Sequence, residues 1–464
     1  MLKPLLIVGF GLILGLSVYY WNTCKCSSDE VPKLDTEEWW GPNELKGRRD
    51  TSVRPFKVKF ETEMIEDLKA RLANHRPWTP PLEGAAFTYG FNSQQLEPWL
   101  KYWAEQYPFS EREKFLNQFP QFKTKIQGLD IHFIRVRPKV PEGVKILPLL
   151  LVHGWPGSVR EFYEAIPLLT RQKPGYDFVF EVIVPNIPGY GFSDAAARPG
   201  LGPVKVAVVM RNLMQRLGHR KYYIQGGDWG AIIVAAMATL FPNEVLGHHN
   251  NMLVVYNKCT YMKTLVGSLY PPLVVDSKNV DKIYPLHNLF GYLFEEFGYF
   301  HLQATRPDTV GVGLSDSPSG LLAYILEKFS VWTELANKHK EDGGLTLRYT
   351  KDQLIDNLMM YWATNSITTS MRLYAENIRE DVGNVKIGEI STPVPTWVVQ
   401  AKHELFYQPV EFLRTKYTNL LNNTVLDEGG HFLALEMPKE FSEDVFKAVK
   451  AFIEFNNRKI RTEL

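Results

Sequence analysis

A mostly parallel α/β sheet, covered on both faces and interrupted by a long helical insert, is the architecture this 464-residue chain predicts. Two observations carry that reading. Between residues 145 and 256, apolar strands such as KILPLLLV and DFVFEVIVP alternate with helical runs such as VKVAVVMRNLMQRLG, and each strand ends in a loop. From 257 to 390 the alternation stops, the chain turns helical and aromatic, and strands resume only with PVPTWVVQA. A block of that length between two sheet strands is an inserted cap. Five stretches result: 1–22, 23–140, 141–256, 257–390 and 391–464.

Residues 4–21, PLLIVGFGLILGLSVYYW, carry no charge. As a helix they span roughly 27 Å, enough to cross a bilayer core, and Tyr19, Tyr20 and Trp21 close them like an interfacial belt. No small-x-small cleavage site follows, so a retained single-span anchor is expected rather than a signal peptide. Lys25 and Lys33 outnumber Lys3 at the ends, which places the body on the cytoplasmic side. A charged linker follows, with Trp39 and Trp40 facing either the body or the membrane. VRPFKVKF (53–60) alternates like a strand. In ETEMIEDLKARLANHR, Met64, Ile65, Leu68 and Leu72 share one helical face. Further helices are expected near 96–106 and after a capping box at Ser110 and Glu113. FKTKIQGLDIHFIRVRP reads as a hairpin turning at Gly128. The stretch 23–140 shows no chemistry and is expected to cover the sheet.

Composition narrows the function classes. Hydrophobic content of 45% suits a large apolar core, and a net charge of +1 without basic runs gives no reason to expect a nucleic-acid binder. The three cysteines, Cys24, Cys26 and Cys259, support neither a zinc site nor a disulfide framework, which suggests a reducing compartment for the body.

Chemistry concentrates at Tyr222-Tyr223-Ile224-Gln225-Gly226-Gly227-Asp228-Trp229-Gly230. A residue flanked as G-x-X-x-G after a strand sits on a sharp turn that lifts its side chain out of the sheet. In serine hydrolases X is Ser; here it is Asp228. A carboxylate is already ionised at neutral pH and can attack an alkyl carbon directly. Taken alone, the same residues make an ordinary turn. In elbow hydrolases the acid and then the histidine follow the nucleophile along the chain. His431, in Gly429-Gly430-His431-Phe432, and Glu404, after TWVVQA, fit that order. Asp427 and Glu428 are rivals better read as local ion-pair partners of His431, and His403 lies in the wrong loop for the base. Oxyanion donors would be the backbone N–H of Trp229 and that of Trp155 in His153-Gly154-Trp155-Pro156.

Together HGWPGS, PNIPGYGFSD, GGDWG, FGYFHLQATRPDT, MRLYAEN, GGHF and the N-terminal anchor resemble the microsomal-type epoxide hydrolases, and within them the insect juvenile hormone epoxide hydrolases. The resemblance spans essentially the whole chain. It implies an α/β-hydrolase fold with an inserted helical cap, an N-terminal wrapping extension and an N-terminal transmembrane helix. It also implies an endoplasmic reticulum membrane location and water addition to a lipophilic epoxide without cofactor or metal. The family's nucleophile, acid and base fall on Asp228, Glu404 and His431, and its epoxide-polarising tyrosines on Tyr299 and Tyr374. Juvenile hormone is the substrate the resemblance implies; general detoxification of xenobiotic or lipid epoxides is the competing use. A haloalkane dehalogenase or a non-catalytic hormone carrier are the remaining alternatives.

Overall fold

The computed structural model describes residues 30–47, 50–382 and 386–463. The expected anchor at 1–22 and Cys24 and Cys26 therefore lie outside the described residues. Among the described residues, no helix is long and apolar enough to cross a membrane.

Among the described residues the sheet has nine strands in the order β1-β2-β3-β5-β4-β6-β7-β8-β9. Strand β1 (Val53–Phe56) pairs antiparallel with β2 (Gln121–Ile126), and β2 with β3 (Leu129–Val136). The β2–β3 turn is the expected one. Gln127 and Gly128 both have positive φ, at 49° and 87°, as the right-handed twist of a two-residue hairpin demands. The N-terminal stretch does more than cover the sheet, because β3 pairs antiparallel with β5 (Phe178–Pro185) and so extends it. From β5 onward all pairings are parallel, through β4 (Lys145–Val152), β6 (Tyr222–Gly226), β7 (Val245–Asn250), β8 (Thr396–Gln400) and β9 (Leu420–Val425).

The helices of the N-terminal stretch are α1 (Thr62–Ala73), α2 (Leu96–Lys101) and α3 (Phe109–Leu116). Leu68 and Leu72 of α1 are fully buried, and Met64 and Ile65 pack beside them, as the periodicity predicts. The capping box does not form. Ser110 sits inside α3, whose N-cap is Pro108, and the Glu113 carboxylate accepts from the Phe60 N–H at 2.7 Å instead. A tertiary partner outcompeted a local one. Trp40 settles on the body, with its backbone N–H donating to the Gln127 carbonyl at 2.8 Å and the Arg198 guanidinium 4.7 Å over its ring.

In the core, α4 (Pro203–Arg216) and α5 (Trp229–Leu240) flank β6. Between β7 and β8 every described regular element is helical. The longer ones are, in order, α6 (Lys258–Leu269), α7 (Leu286–Glu296), α8 (Gly298–Thr305), α9 (Pro307–Asp316), α10 (Pro318–Val331), α11 (Lys351–Trp362) and α12 (Ile367–Val382), joined by loops and short helical turns. The terminal helix α13 (Pro438–Glu463) packs back on β7 and β8. One cysteine departs from expectation. Cys259, on α6, is buried and disulfide-bonded.

A buried charge cluster ties three parts of the chain together. Asp356 on α11 is fully buried and accepts from Arg160 Nε at 2.8 Å, Arg112 Nε at 2.9 Å and the Tyr107 hydroxyl at 2.9 Å. Removing one member of such a cluster strands the others as uncompensated buried charge. Asp356→Ala should therefore cost about 3–5 kcal/mol of stability, read as a lowered urea midpoint.

Candidate active site

Four sheet strands deliver the expected residues to one end of the sheet, as parallel topology requires. Asp228 follows β6, the His153–Trp155 loop follows β4, Glu404 follows β8 and His431 follows β9. Asp228 has φ 51° and ψ −128°, a strained conformation for a non-glycine residue. The flanking glycines make that turn possible. A Cβ on Gly230 would collide with the Val152 carbonyl of β4, and one on Gly154 would collide with the Asp228 carboxylate itself.

The carboxylate is held on two sides. Asp228 Oδ1 accepts from the Trp155 N–H at 2.7 Å, and Oδ2 lies 3.4 Å from His431 Nε2. His431 Nδ1 in turn meets Glu404 Oε1 at 2.6 Å. All three acid and base candidates are thus in one chain of contacts. The rivals are elsewhere: Glu428 pairs with Arg348 at 3.1 Å rather than with His431, and His403 binds the Gly429 carbonyl through its backbone at 3.0 Å. Of the two oxyanion donors, Trp155 is already on the carboxylate. The Trp229 N–H opens helix α5, where no intrahelical acceptor is available to it.

Electrostatics divide these groups sharply. Burial opposes protonation of His431, but the Glu404 and Asp228 charges overcome it and raise its pKa well above the usual value. His153 behaves oppositely. Burial lowers its pKa to about 4, and the Ile187 N–H donates to its Nε2 at 3.3 Å, so it stays neutral and braces two loops. Tyr299 on α8 and Tyr374 on α12 sit above the nucleophile. Tyr299 stacks on Trp155 with ring centroids 5.5 Å apart, and Tyr374 meets Trp229 edge-on at 4.6 Å. Burial, and then neighbouring charge or phenol, push both phenols well above their ordinary range. They remain neutral donors at any pH the protein meets.

Tyr299, Tyr374, Asp228 and Trp229 line a cavity of about 630 Å³, whose other walls include Met252, Phe297, Phe300 and Phe406. Such a space can hold an apolar molecule with a polar group turned toward Asp228.

Sequence reasoning missed the residues that brace this site. Asn357 Nδ2 donates to the Pro156 carbonyl at 2.7 Å, and the Tyr361 hydroxyl to the Gly157 carbonyl at 2.6 Å, so α11 pins the loop carrying Trp155. Glu436 grips the other loop. Its Oε2 accepts from the Gly430 N–H and its Oε1 from the Phe432 N–H, each at 2.9 Å, straddling His431. Burial raises the Glu436 pKa to about 7 and that of nearby Glu161 to about 8. A carboxylate one helical turn after a glycine-histidine loop was the available signal for Glu436; nothing marked Glu161. Because a glutamine offers only one acceptor oxygen, Glu436→Gln should lower kcat about tenfold with KM unchanged. Quenched-flow kinetics should place that loss in the step that needs His431. Below about pH 7 the parent protonates Glu436 and loses the same acceptor, so the two proteins' rates should converge there.

A strand, a strained acid-bearing turn, a following helix and a distant Glu–His pair define an α/β hydrolase with aspartate at its elbow. The comparisons agree and go further. Residues 53–162 match the model "Epoxide hydrolase N terminus" and residues 148–249 the model "alpha/beta hydrolase fold". The chain is 56% identical over 463 residues to juvenile hormone epoxide hydrolase of Bombyx mori, covering 100% of both chains. It is 43% identical to epoxide hydrolase 1 of Oryctolagus cuniculus, covering 94% of this chain and 97% of that one. The crystal structure of the Bombyx mori juvenile hormone enzyme superposes with a TM-score of 0.90 at 59% identity, over 91% of this chain and 100% of that one. The chain belongs to the epoxide hydrolase family, enzymes that add water to an epoxide.

Proposed function

We propose that this chain hydrolyses juvenile hormone, a terpenoid epoxy ester, to its diol through an ester on Asp228. The observation that carries the reading is the shape of the apolar space. The cavity at Asp228 shares Tyr256, Tyr261, Leu293, Leu405 and Phe406 with a second one of about 600 Å³. Together they suit a long lipophilic molecule with its epoxide at one end.

Tyr299 and Tyr374 donate to the epoxide oxygen and stabilise the charge that develops as the ring opens. Asp228 attacks a ring carbon, breaking the carbon–oxygen bond and forming an alkyl ester. Loss of the carboxylate charge withdraws one of the two supports that keep His431 protonated, so esterification itself favours the neutral imidazole. His431, oriented by Glu404, then takes a proton from water, that water attacks the ester carbonyl, and the tetrahedral intermediate expels the diol oxygen, which takes the proton back from His431 and leaves Asp228 as a free carboxylate. Trp155 and Trp229 offer N–H groups to the tetrahedral oxyanion. Diol formation from juvenile hormone, measured beside styrene oxide, tests the substrate. Strong preference for the hormone supports it; equal or better turnover of styrene oxide identifies a general detoxifying hydrolase.

The reading includes a tether to the endoplasmic reticulum membrane through residues 4–21, supported by their uncharged run. Lysine distribution favours a cytoplasmic body, whereas the Cys259 disulfide favours an oxidising compartment. Protease protection of a carboxyl-terminal epitope in microsomes decides the side. Digestion without detergent supports the cytoplasmic body, and protection overturns it.

A further inference from the structure

We propose that Lys328, on α10, is a positioning residue that makes Tyr299 rather than Tyr374 the proton donor to the epoxide oxygen. Its ammonium lies over the Tyr299 ring and stabilises the negative charge this phenol takes on as the proton leaves. The inference rests on the reading of Tyr299 and Tyr374 as donors to the epoxide. Lys328 is only 7% exposed, and its Nζ lies 4.7 Å from the centre of the Tyr299 ring. Trp332, one helical turn further on, has its ring 5.1 Å from that of Tyr299 and 5.9 Å from the same ammonium. Glu327 Oε2 pairs with Lys328 Nζ at 2.6 Å.

An enclosed ammonium costs free energy unless the fold compensates it. Glu327 supplies part of that compensation, and the faces of Tyr299 and Trp332 supply more. Among the described residues, no cation lies over the ring of Tyr374. The two phenols also differ in how each treats the other. Hydrogen bonding from Tyr374 favours the ionised form of Tyr299, whereas Tyr299 pushes Tyr374 up.

The charge around Tyr299 changes as the ring opens. In the resting site burial, and then the Asp228 carboxylate, oppose ionisation of this phenol. When Asp228 attacks, its charge is lost to the new ester bond. The carbon–oxygen bond of the ring breaks with its electron pair left on the epoxide oxygen, and that oxygen takes the Tyr299 proton. The phenolate now faces the Lys328 ammonium with the opposing anion gone. His431 loses one support for its own proton in the same step, and that proton, carried by water, re-forms the phenol.

The test follows ester formation and ester hydrolysis separately by quenched flow, using the full chain with epoxyoctane and an analogue bearing two fluorines beside the ring. Lys328→Met should slow ester formation from epoxyoctane about tenfold, the scale of a desolvated cation–ring contact, and leave ester hydrolysis unchanged. The loss should nearly vanish on the fluorinated epoxide, whose alkoxide needs less help from a proton. Lys328→Arg should restore most of the rate. Glu327→Gln breaks the same ion pair but leaves the ammonium on the ring, so it should not slow ester formation. In a Tyr299→Phe background Lys328→Met should have no further effect, and in Tyr374→Phe its full effect should remain. Should Lys328→Met not fold, the double variant Glu327→Gln/Lys328→Met, which strands no charge, carries the same comparisons. Equal slowing of both half-reactions, equal loss on both epoxides, or a loss that persists without the Tyr299 hydroxyl overturns the proposal. Unimpaired ester formation by Tyr299→Phe defeats the donor reading and the inference with it. A slow Tyr299→Phe beside an unimpaired Lys328→Met defeats the inference alone.

Discussion

Asp228→Ala protein should form no diol, with kcat lower by on the order of 10⁴–10⁶-fold, the loss expected when a covalent nucleophile is removed. The local geometry makes the effect specific. Asp228 sits at φ 51° with its carboxylate between the Trp155 N–H and His431 Nε2, and no other acid shares that position. Alanine leaves the elbow backbone intact, so near-ultraviolet circular dichroism should match the parent. The tyrosines remain in place above an empty space, and Tyr299 and Tyr374 should still hydrogen-bond the epoxide. Binding of a non-hydrolysable analogue should accordingly survive. Normal diol formation by a correctly folded Asp228→Ala protein would refute the assignment.

His431→Gln should produce the opposite failure, a reaction that starts and stops. Glutamine spares the nucleophile and both tyrosines, so attack on the ring proceeds once per protein molecule. Without a base 3.4 Å from Asp228 Oδ2, water is not deprotonated and the ester accumulates. Steady-state turnover should fall roughly 10³–10⁵-fold. Intact-protein mass spectrometry after acid quench should show an increase equal to the mass of one substrate, located by digestion to the peptide bearing Asp228. If no ester is trapped under single-turnover conditions, the two-step route is wrong. Glu404 explains why glutamine does not rescue. The Glu404–His431 contact at 2.6 Å orients an imidazole and stabilises its protonated form, and an amide has no proton to cycle.

Local sequence determined the order of the chemistry: a strand, then Gly226-Gly227-Asp228-Trp229-Gly230, then an acid after one later strand and a histidine after the next. Those positions were legible because tight turns admit few residues, and because parallel strands place their carboxyl-terminal loops at one edge. Alternation and length marked β4, β5, β6 and the helical insert for the same kind of reason, since burial on both faces leaves a continuous apolar run. The β2–β3 turn was legible from Gly128, whose backbone conformation glycine adopts at little cost.

Tertiary packing alone decided the rest. The capping box at Ser110 lost to the Phe60 N–H, which reached Glu113 from 53 residues away. Glu428 found Arg348 instead of its chain neighbour His431. Two braces, Asn357 on Pro156 and Tyr361 on Gly157, use ordinary polar residues with no local signature, and Glu436 on the loop of His431 has only its place one helical turn after that loop. Asp356 has no local signature either, and its partners come from the N-terminal stretch and the core. Glu161 is the extreme case: in sequence it is one more acid, and only the folded surroundings push its carboxyl up to about 8. A turn is set by the conformations its own residues allow, whereas a pKa, a brace or a cavity is set by whichever distant groups the fold brings within a few ångströms.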